Sequence, residues 1–346
     1  MIDSSSSRAA HSSLAVIVPV HNGAATLRAC LSALIRSTRL PDEIIVYDDA
    51  STDDSAEIAA SFGAKVLTNA TRPWGPAVGR NICASTTDAD VLVFVDADVE
   101  VQPDAIGLLE RTIIADPKVA AAFGSYDDDP GAERLAGLYA NLRHHWFHQN
   151  GNRDASSFWS GLGAVRRDAF LNNGGFDRRF ERPSIEDVDL GLRLKKAGWR
   201  IVLEPMAQAT HHKDWTLTKL WRTDVVHRAL PWSVMMVSGE AAGIDLNVSW
   251  KERIVCGLAH LLWALALLAA LVPAAGPVWT VVLLAYMALN LPFYALLARR
   301  GGAPLLIAGA CLHWLYHVYA SSVFAYVFAT WRGRKPVDQE APSKAG

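Results

Sequence analysis

The sequence "VLVFVDADVE" (residues 91–100) decides the fold, because an apolar strand runs directly into a group of carboxylates. Its first five residues are all apolar, as in a strand that is buried on both faces of a sheet. Asp96, Asp98 and Glu100 follow. Since alternate residues of an extended chain face the same way, Asp96 and Asp98 are expected to converge on one cation. Such oxygen ligands suit Mg²⁺ or Mn²⁺, with the phosphates of a substrate completing the shell.

A second explanation of these acids is that they cap the next helix. That explanation suits Asp104, which follows Pro103, but it does not account for two acids placed directly after five apolar residues. Glu100 is predicted to be a solvated surface acid.

Short apolar strands and helical runs alternate on both sides of this segment. The alternation predicts an α/β fold with a mostly parallel, doubly wound sheet that is covered on both faces. The predicted strands are 14–20, 43–47, 64–68, 91–95 and 119–125, and the predicted helices are 26–36, 55–62, 77–86 and 104–115.

Polar residues follow three of the predicted strands, at the edge where such sheets bind their ligands. His21 and Asn22 follow the first strand, Asp48 follows the second, and Asp96 follows the fourth. Three clusters at one edge predict a binding site. The first strand is followed by neither Gly-x-Gly-x-x-Gly nor Gly-x-x-x-x-Gly-Lys, which argues against a dinucleotide-dependent dehydrogenase and a P-loop enzyme.

The bulk composition excludes other classes. The formal charge of −2 argues against a nucleic-acid partner. None of the four cysteines forms a Cys-x-x-Cys pair, so a disulfide framework or a structural zinc site is not expected. A reducing compartment fits this part of the chain.

The sequence "PSIEDVDLGLRLKKAG" (residues 183–198) holds a second group of acids at the start of a predicted helix. Ser184 and Asp187 fit a capping box, which is the simple explanation of Asp187. If the helix points into the cleft, Glu186 or Asp187 could instead deprotonate an attacking hydroxyl. Further along, His211 follows a predicted strand, and a structural role and a metal-ligand role are both open for it.

Three uncharged segments, 254–272, 278–297 and 304–329, are each near or above the roughly 18–20 residues needed to span a bilayer. The alternative is a buried helical bundle in a soluble protein. The first thirteen residues have no apolar core and do not resemble a signal peptide, so the chain is expected to begin in the cytosol. Basic clusters flank the segments in a way that three full crossings cannot satisfy, which leaves two or three crossings open.

These observations predict a multi-pass protein of the plasma (inner) membrane with a cytosolic domain. A run of large apolar and basic side chains before the first segment suits a helix lying on the membrane surface. That run contains Trp221, Arg222, Arg228, Leu230, Trp232, Met235 and Met236. The predicted parts are a disordered tail (1–13), a catalytic domain (14–215), an amphipathic interfacial linker (216–250), two or three transmembrane helices (251–331) and a second disordered tail (332–346).

Five motifs in order carry a family resemblance. They are "AVIVPVHNGAATLRACLSAL", "IIVYDDASTDDS", "GRNICASTTDADVLVFVDADV", "GGFDRRF" and "SIEDVDLGLRLKKAGW". Over residues 14–215 the chain resembles the family 2 inverting glycosyltransferases of GT-A fold, in particular their membrane-associated bacterial members. The resemblance implies a nucleotide-sugar-binding domain that moves a sugar from a nucleotide-diphosphate sugar to an acceptor hydroxyl with inversion.

The resemblance also implies roles for donor-side residues. Asp96 and Asp98 match the Asp-x-Asp motif, whose cation (Mg²⁺ or Mn²⁺) bridges the two phosphates and stabilises the leaving group. His211 matches a histidine that reaches the metal in many members. The implied contacts to the donor nucleotide are Pro19, His21, Asn22, Asp48, Arg80 and Asp96, with Arg80 approaching the pyrophosphate and Asp48 the base.

On the acceptor side, the resemblance implies that Asp187 is the catalytic base and that Glu186 supports it. The implied acceptor is a lipid-linked or cell-envelope glycan, with membrane lipid as a second partner. The implied acceptor wall and acceptor loop consist of Trp159, Gly161, Gly175, Phe176 and Asp177.

Two features depart from the family pattern. His21 stands where a tyrosine is common, and the 127–155 insertion, with its His-rich helix, has no role that can be transferred. One rival interpretation is a membrane scaffold with an inactive transferase-like domain, although all the carboxylates are present. Another is a sugar-phosphate nucleotidyltransferase, which would need a Gly-rich basic loop after the first strand. Donors based on uridine, guanosine and deoxythymidine all fit.

Overall fold

The computed structural model describes residues 12–180, 182–239 and 249–331. The chain divides into two compact units, here called the sheet unit and the helical unit. The sheet unit comprises Met1–Gly131 and His144–Lys213, and the helical unit comprises Ala132–Arg143 and Asp214–Gly346. The predicted catalytic domain therefore ends two residues earlier than expected, and part of the predicted insertion belongs to the helical unit.

Some predictions fall outside the described residues. They concern nearly all of the N-terminal tail, the whole C-terminal tail and the 240–248 part of the linker.

The sheet unit contains one eight-stranded sheet with the strand order β3-β2-β1-β4-β7-β6-β8-β5. Strands β5 and β7 pair only antiparallel with their neighbours, whereas the other pairs are parallel. The strands are β1 (Leu14–Val20), β2 (Glu43–Asp49), β3 (Lys65–Asn69), β4 (Val91–Val95), β5 (Val99–Val101), β6 (Val119–Tyr126), β7 (Leu162–Arg166) and β8 (Arg200–His211).

Helices cover this sheet, and most of them lie where the apolar periodicity predicts them. The differences are one or two residues at the ends, the usual uncertainty of helix boundaries. The helices of the first part of the chain are α1 (Ala24–Leu34), α2 (Ser55–Ser61), α3 (Pro76–Ser85), α4 (Ala105–Ala115), α5 (Leu135–Gln149), α6 (Arg167–Asn172) and α7 (Glu186–Lys196).

The strands are apolar on both faces because each face of the sheet packs against its own core. Along β1, Leu14 and Val16 belong to one buried cluster, and Ala15 and Ile17 belong to the other. All five residues of β4 are buried. This two-sided burial is the reason that the strands read as continuous apolar runs rather than as alternating patterns.

The sheet is mixed, which corrects the prediction in part. Six strands run in one direction, as a mostly parallel sheet requires, but β7 lies antiparallel between β4 and β6, and β5 is antiparallel to β8. Strand β5 has three residues and β7 has five, so neither gives a long enough pattern to reveal its direction.

Gly191 tests the packing of α7 against the sheet unit. A Cβ atom at Gly191 would lie 2.4 Å from the backbone nitrogen of Phe158, whereas one at Gly107 in α4 would meet side-chain atoms, Arg111 Nη1 at 3.2 Å and Arg39 Cβ at 3.4 Å. We expect Gly191→Ala to destabilise the protein by about 1–3 kcal/mol because backbone must move. Gly107→Ala, the matched control, should change stability by about 1 kcal/mol or less. Thermal unfolding of both variants measures the difference, and equal melting temperatures would contradict this packing.

The helical unit contains residues 135–143 of α5, together with α8 (Leu217–Arg222), a π-helix (Thr223–Ala229), α9 (Leu230–Val237), α10 (Trp250–Leu271) and α11 (Gly276–Thr330). By length and composition, Trp250–Leu271 and Pro273–Thr330 could each cross a membrane, with mean hydropathies of 2.3 and 2.0. Within α11, Gly301 and Gly302 leave the helical conformation. The second and third predicted segments are therefore the two parts of one interrupted helix.

The interfacial prediction for residues 216–250 needs a correction at its C-terminal end. Trp221 and Leu230 are exposed, as a membrane-surface helix requires, but Met235 is only 6% exposed and Trp232 is half-buried. The spacing of apolar residues along the sequence could not distinguish the buried face of this segment from its exposed face, because the π-helix between α8 and α9 changes the phase of the helical repeat.

Candidate functional site

The site lies at the edge of the sheet where the six codirectional strands end. Polar residues at this edge come from β1, β2 and β4, as predicted. The structure adds Tyr126 at the end of β6 and places the predicted His211 at the end of β8. Their rings stack with a centroid distance of 4.2 Å and an interplanar angle of 7°. The parallel pairing of β6 with β8 brings them together.

The loops after β1 and β2 are tied to each other. His21 Nδ1 bonds the carbonyl oxygen of Asp49 at 2.8 Å, and Asn22 Oδ1 accepts from the amide of Thr52 at 2.8 Å. Asn22 has a φ of 52°, a left-handed conformation that Asn tolerates better than most residues. Both side chains remain exposed and stand beside the half-buried Pro19. The predicted nucleotide-side residues of β1 thus share one loop surface.

Asp48 and Asp49 end β2 in different surroundings. Asp48 is buried and its Oδ1 accepts from the amide of Ser51 at 3.2 Å. Asp49 accepts from the amides of Trp74 and Gly75 at 2.9 and 2.7 Å. Asp49 thereby fixes the loop that leads into α3, a role that was not anticipated. The only sequence signal was its position directly after Asp48.

Asp96 and Asp98 do not face the same way, which corrects the argument from strand alternation. Residues 96–99 form a turn closed by the amide of Val99 on the carbonyl oxygen of Asp96, at 3.0 Å. Asp96 Oδ1 accepts from Arg80 Nη2 at 2.6 Å, whereas Asp98 Oδ1 lies 3.5 Å from His211 Nε2. Among the described residues, no group of three His, Cys, Asp or Glu side chains is arranged around one point that could hold a metal ion.

Asp98 and His211 form the centre of the candidate cation site. Lys213 Nζ lies 3.9 Å from Asp98 Oδ2. Burial would raise the pKa of Asp98, but His211 and then Lys213 outweigh it and hold that pKa below its usual range. The carboxylate is therefore ionised, and its oxygen together with the neutral form of the His211 imidazole would be a donor pair that suits Mn²⁺.

Glu100 is a partly solvated acid that also has two basic partners, which refines its prediction as a solvated surface acid. Its carboxylate lies 2.9 Å from His212 Nε2 and 3.8 Å from Arg36 Nη2. The pairing of β5 with β8 sets Glu100 opposite Thr210, next to the His211–His212 pair. His212 is thus occupied by Glu100, while its neighbour His211 faces Asp98.

Glu186 and Asp187 stand in the first turn of α7, where the helix dipole favours negative charge. The predicted capping box is wrong: the residue before the helix is Ile185, and no side chain caps it. Instead, Glu186 Oε2 accepts from the amide of Ser184 at 2.8 Å. Asp187 Oδ2 accepts from the amide of Ser160 at 3.2 Å.

Asp187 has the electrostatics of a general base. Burial, and then the neighbouring charge of Glu186, raise the pKa of Asp187 to about 7, although Ser160 and Arg80 oppose the shift. Proton transfer is most efficient when the pKa of the base lies near the working pH. The side chain is half-buried, so part of its surface is open to a ligand.

Arg80, in α3, connects the two groups of acids. Its Nη1 donates to Glu186 Oε1 at 3.2 Å and its Nη2 to Asp96 Oδ1. The guanidinium carbon lies 5.4 Å from the centroid of the Phe176 ring. Arg80 is thus buried between two carboxylates and an aromatic face.

The predicted acceptor residues separate into two groups. Trp159 is half-buried, and a Cβ atom at Gly161 would lie 2.5 Å from its ring, so Gly161 makes room for the indole. Gly175 and Phe176 are held instead by Asn81 of α3. The Nδ2 atom of Asn81 donates to the carbonyl oxygen of Phe176 at 2.7 Å, and its Oδ1 accepts from the amide of Phe176 at 2.9 Å.

Phe176 is the acceptor-side prediction that the structure contradicts. Its side chain is 1% exposed and packs against Phe94 and Phe170 with centroid distances of 5.1 and 5.3 Å, so it belongs to the core. Asp177, next in the chain, is half-buried and bonds Arg179. Burial would raise the pKa of Asp177, but the hydrogen bonds and charge of Arg179 hold it below its usual range.

The C-terminal half of α5 adds aromatic rings beside Trp159. His144 and His148 each lie 4.8 Å from Trp159 between centroids, and their Nε2 atoms are 3.1 Å apart. Burial lowers the pKa of His148 to about 4, so this imidazole is neutral. The sequence indicated an aromatic helix here but not which strand it covers.

Comparison with known proteins finds relatives for most of the sheet unit. A family model described as Glycosyl transferase family 2 matches residues 15–173. An uncharacterized glycosyltransferase of Mycobacterium bovis is 30% identical over 203 residues, which are 54% of this chain and 81% of that protein. The N-acetylglucosaminyl-diphospho-decaprenol L-rhamnosyltransferase of Mycobacterium tuberculosis is 29% identical over 235 residues, 58% of this chain and 76% of the relative.

Other matches are less complete or more distant. The alignment with a further Mycobacterium tuberculosis protein is 30% identical and covers 52% of this chain but only 61% of that relative's length. A mannosyltransferase from Pyrobaculum calidifontis, solved with GDP-Man and Mn²⁺, superposes with a TM-score of 0.49 at 17% identity, covering 91% of this chain and 88% of the other. The family match and the Mycobacterium bovis relative decide the assignment: the chain belongs to glycosyl transferase family 2.

Proposed function

We propose that this protein transfers a glycosyl group from a nucleoside-diphosphate sugar to an acceptor hydroxyl, with inversion at the anomeric carbon. The observation that carries the proposal is the arrangement around Arg80. This residue binds Asp96 of the donor-side motif and Glu186, the neighbour of the candidate base Asp187. One guanidinium thus links the donor-side acid to the neighbour of the base, and a single displacement needs the leaving group and the base close to the same anomeric carbon.

In the proposed reaction, Asp187 accepts the proton of the acceptor hydroxyl. The acceptor oxygen forms its bond to the anomeric carbon as the bond from that carbon to the diphosphate oxygen breaks. The bonding electrons leave with the nucleoside diphosphate. Ser160 holds Asp187 through its backbone amide. Proton transfer of this kind typically contributes about 10²–10⁴-fold to a rate.

A divalent cation fits part of the predicted ligand set. Asp98 and His211 offer an ionised oxygen and an imidazole nitrogen at the same place, and Asp96 keeps Oδ2, which has no hydrogen-bond or ion-pair partner among the described residues. Mg²⁺ or Mn²⁺ bound there would supply positive charge for the departing diphosphate. Among this chain's own residues, Lys213 adds a positive charge next to Asp98.

His21, Asn22 and Asp48 are proposed to hold the nucleoside of the donor. They lie at the end of β1, which pairs with the strand that precedes Asp96, and at the end of β2, which pairs with β1. Asp48 can accept hydrogen bonds from a base or a ribose, and the interlocked loops give it a fixed position. Trp159 is proposed as part of the acceptor wall.

A lipid-linked acceptor at the plasma membrane is proposed for three reasons. The helical unit holds two helices that are long and apolar enough to cross a membrane. A relative at 29% identity is named for action on N-acetylglucosaminyl-diphospho-decaprenol. Exposed Trp221 and Leu230 suit contact with a lipid surface.

The test is a panel of UDP-, GDP- and dTDP-sugars offered to the purified full-length protein with Mn²⁺, Mg²⁺ or EDTA. Acceptors are a polyprenol-diphosphate sugar in vesicles and a short water-soluble glycan. We expect one donor to be turned over, only with a divalent cation, and mainly with the vesicle-borne acceptor. Product of retained configuration would contradict the mechanism. No transfer from any donor would favour an inactive scaffold.

A further inference from the structure

The surroundings of Arg80 differ from those expected of a residue that contacts the donor pyrophosphate, which is the role that the family resemblance implies. The side chain is 3% exposed. Both terminal nitrogens of the guanidinium donate to carboxylates, Nη2 to Asp96 at 2.6 Å and Nη1 to Glu186 at 3.2 Å. One face lies against the ring of Phe176. A group enclosed in this way has little surface left for the diphosphate of a donor.

We propose that Arg80 is a positioning residue and not a ligand of the donor diphosphate. It holds one oxygen of Asp96 and one oxygen of Glu186, and thereby fixes the donor side of the site relative to the base side. This inference rests on the proposed function, because it assigns Asp187 as the base.

The chain order explains why such a residue is needed. Asp96 follows β4 and Glu186 begins α7, and 90 residues separate them. No backbone hydrogen bond between β4 and α7 orients one with respect to the other among the described residues. Among the described residues, Arg80 Nε also has no hydrogen-bond acceptor. The two carboxylates and Phe176 therefore determine where the guanidinium lies.

Arg80 also balances charge next to the base. Glu186 raises the proton affinity of Asp187, and Arg80 lowers it. Arginine suits this position because its planar fork reaches two carboxylates at once, whereas lysine is a point charge. Substitution by lysine therefore keeps the positive charge of Arg80 but removes its two-pronged geometry, so the two effects can be measured separately.

The experiment compares Arg80→Gln, Arg80→Lys, Glu186→Gln and the double variant Arg80→Gln/Glu186→Gln in the full-length protein. The surface control is Arg153→Gln, which removes an exposed ion pair with Glu204. Three readouts are recorded for each: kcat and KM for the donor that the wild type turns over, binding of UDP, GDP and dTDP with Mn²⁺, and the midpoint of the pH–rate profile.

We expect Arg80→Gln to lower kcat by about 10²-fold, the cost of a roughly 1 Å misplacement of catalytic groups. KM for the donor and nucleoside-diphosphate binding should change little. The pH midpoint should move upward, because an opposing positive charge is lost. Arg80→Lys should keep the midpoint near that of the wild type while kcat still falls. The midpoint should move downward in Glu186→Gln and return towards the wild-type value in the double variant.

The double variant also guards against misfolding, because it leaves neither buried charge of this pair without a partner. A raised pKa in the folded state favours folding most below the unfolded pKa, and this advantage is lost as the pH rises through the folded pKa. Thermal melts between about pH 4 and 9 therefore report the titration of Asp187 without turnover. In Arg80→Gln, this loss of stability should continue to a higher pH than in the wild type.

Two outcomes overturn the inference. One is weaker diphosphate binding and a raised donor KM in Arg80→Gln at unchanged kcat, which would make Arg80 a ligand of the diphosphate. The other is a pH midpoint, in rate or in melting, that Arg80→Gln and Glu186→Gln leave unmoved. Failure of the proposed function itself looks different: the wild type then transfers no sugar, while the melting data still decide the role of Arg80.

Discussion

Asp187→Asn is expected to lower kcat by about 10²–10⁴-fold while the donor still binds, because the amide cannot accept the proton of the acceptor hydroxyl. The wild-type rate should fall as the pH is lowered through about 7, the range to which burial and Glu186 raise the pKa of Asp187. Initial rates between pH 5 and 9, with donor binding measured by calorimetry, check both statements.

The stability of Asp187→Asn should rise although its activity falls. Since a raised pKa means that the ionised form of Asp187 is disfavoured in the folded protein, removing this charge should raise the melting temperature at pH 8. The matched control is Asp189→Asn, in the same helical turn, whose carboxylate bonds Arg193 Nε at 2.9 Å. This control should retain most of the activity. A fully active Asp187→Asn enzyme would show that the base is elsewhere.

Asp98→Ala is expected to abolish the cation-dependent part of donor binding, with a loss of at least about 10²-fold in kcat/KM. The physical reason is that Asp98 is the ionised carboxylate beside His211, and its loss leaves the cation only His211 and Oδ2 of Asp96 from the proposed ligand set. Binding of Mn²⁺ alone, followed by electron paramagnetic resonance, and binding of UDP, GDP and dTDP with and without Mn²⁺ measure the effect.

Glu100→Gln provides the matched control for Asp98→Ala. It lies two residues further along the same segment, and its carboxylate is paired with His212 rather than with His211. We expect this variant to keep Mn²⁺ binding and most of its activity. Equal losses of Mn²⁺ binding in Asp98→Ala and Glu100→Gln would show that the acids of residues 96–100 act only through their total charge.

The sequence determined the parts of the fold that local patterns encode. Apolar runs such as Val91–Val95 located the strands, since a strand buried on both faces must be apolar throughout. The polar residues that follow β1, β2 and β4 lie at one edge of the sheet, as their positions after these strands predicted. The long uncharged segments predicted apolar helices, and α10 and α11 are present.

Tertiary structure alone decided how these parts face one another. Sequence spacing predicted that Asp96 and Asp98 point the same way, but the turn at residues 96–99 separates them, so that Asp96 bonds Arg80 and Asp98 faces His211. The burial of Phe176 and the reversed direction of β7 depend on contacts that are distant in the chain.

The opening segment shows the division most clearly. From "VLVFVDADVE" alone, the strand and its terminal acids could be predicted, because hydrophobic burial and strand length are local properties. The partners of the acids could not. Arg80 reaches this segment from α3, and His211 and His212 reach it from the end of β8. Only the folded chain brings these groups of opposite charge or matching hydrogen-bonding character within a few ångströms of the acids.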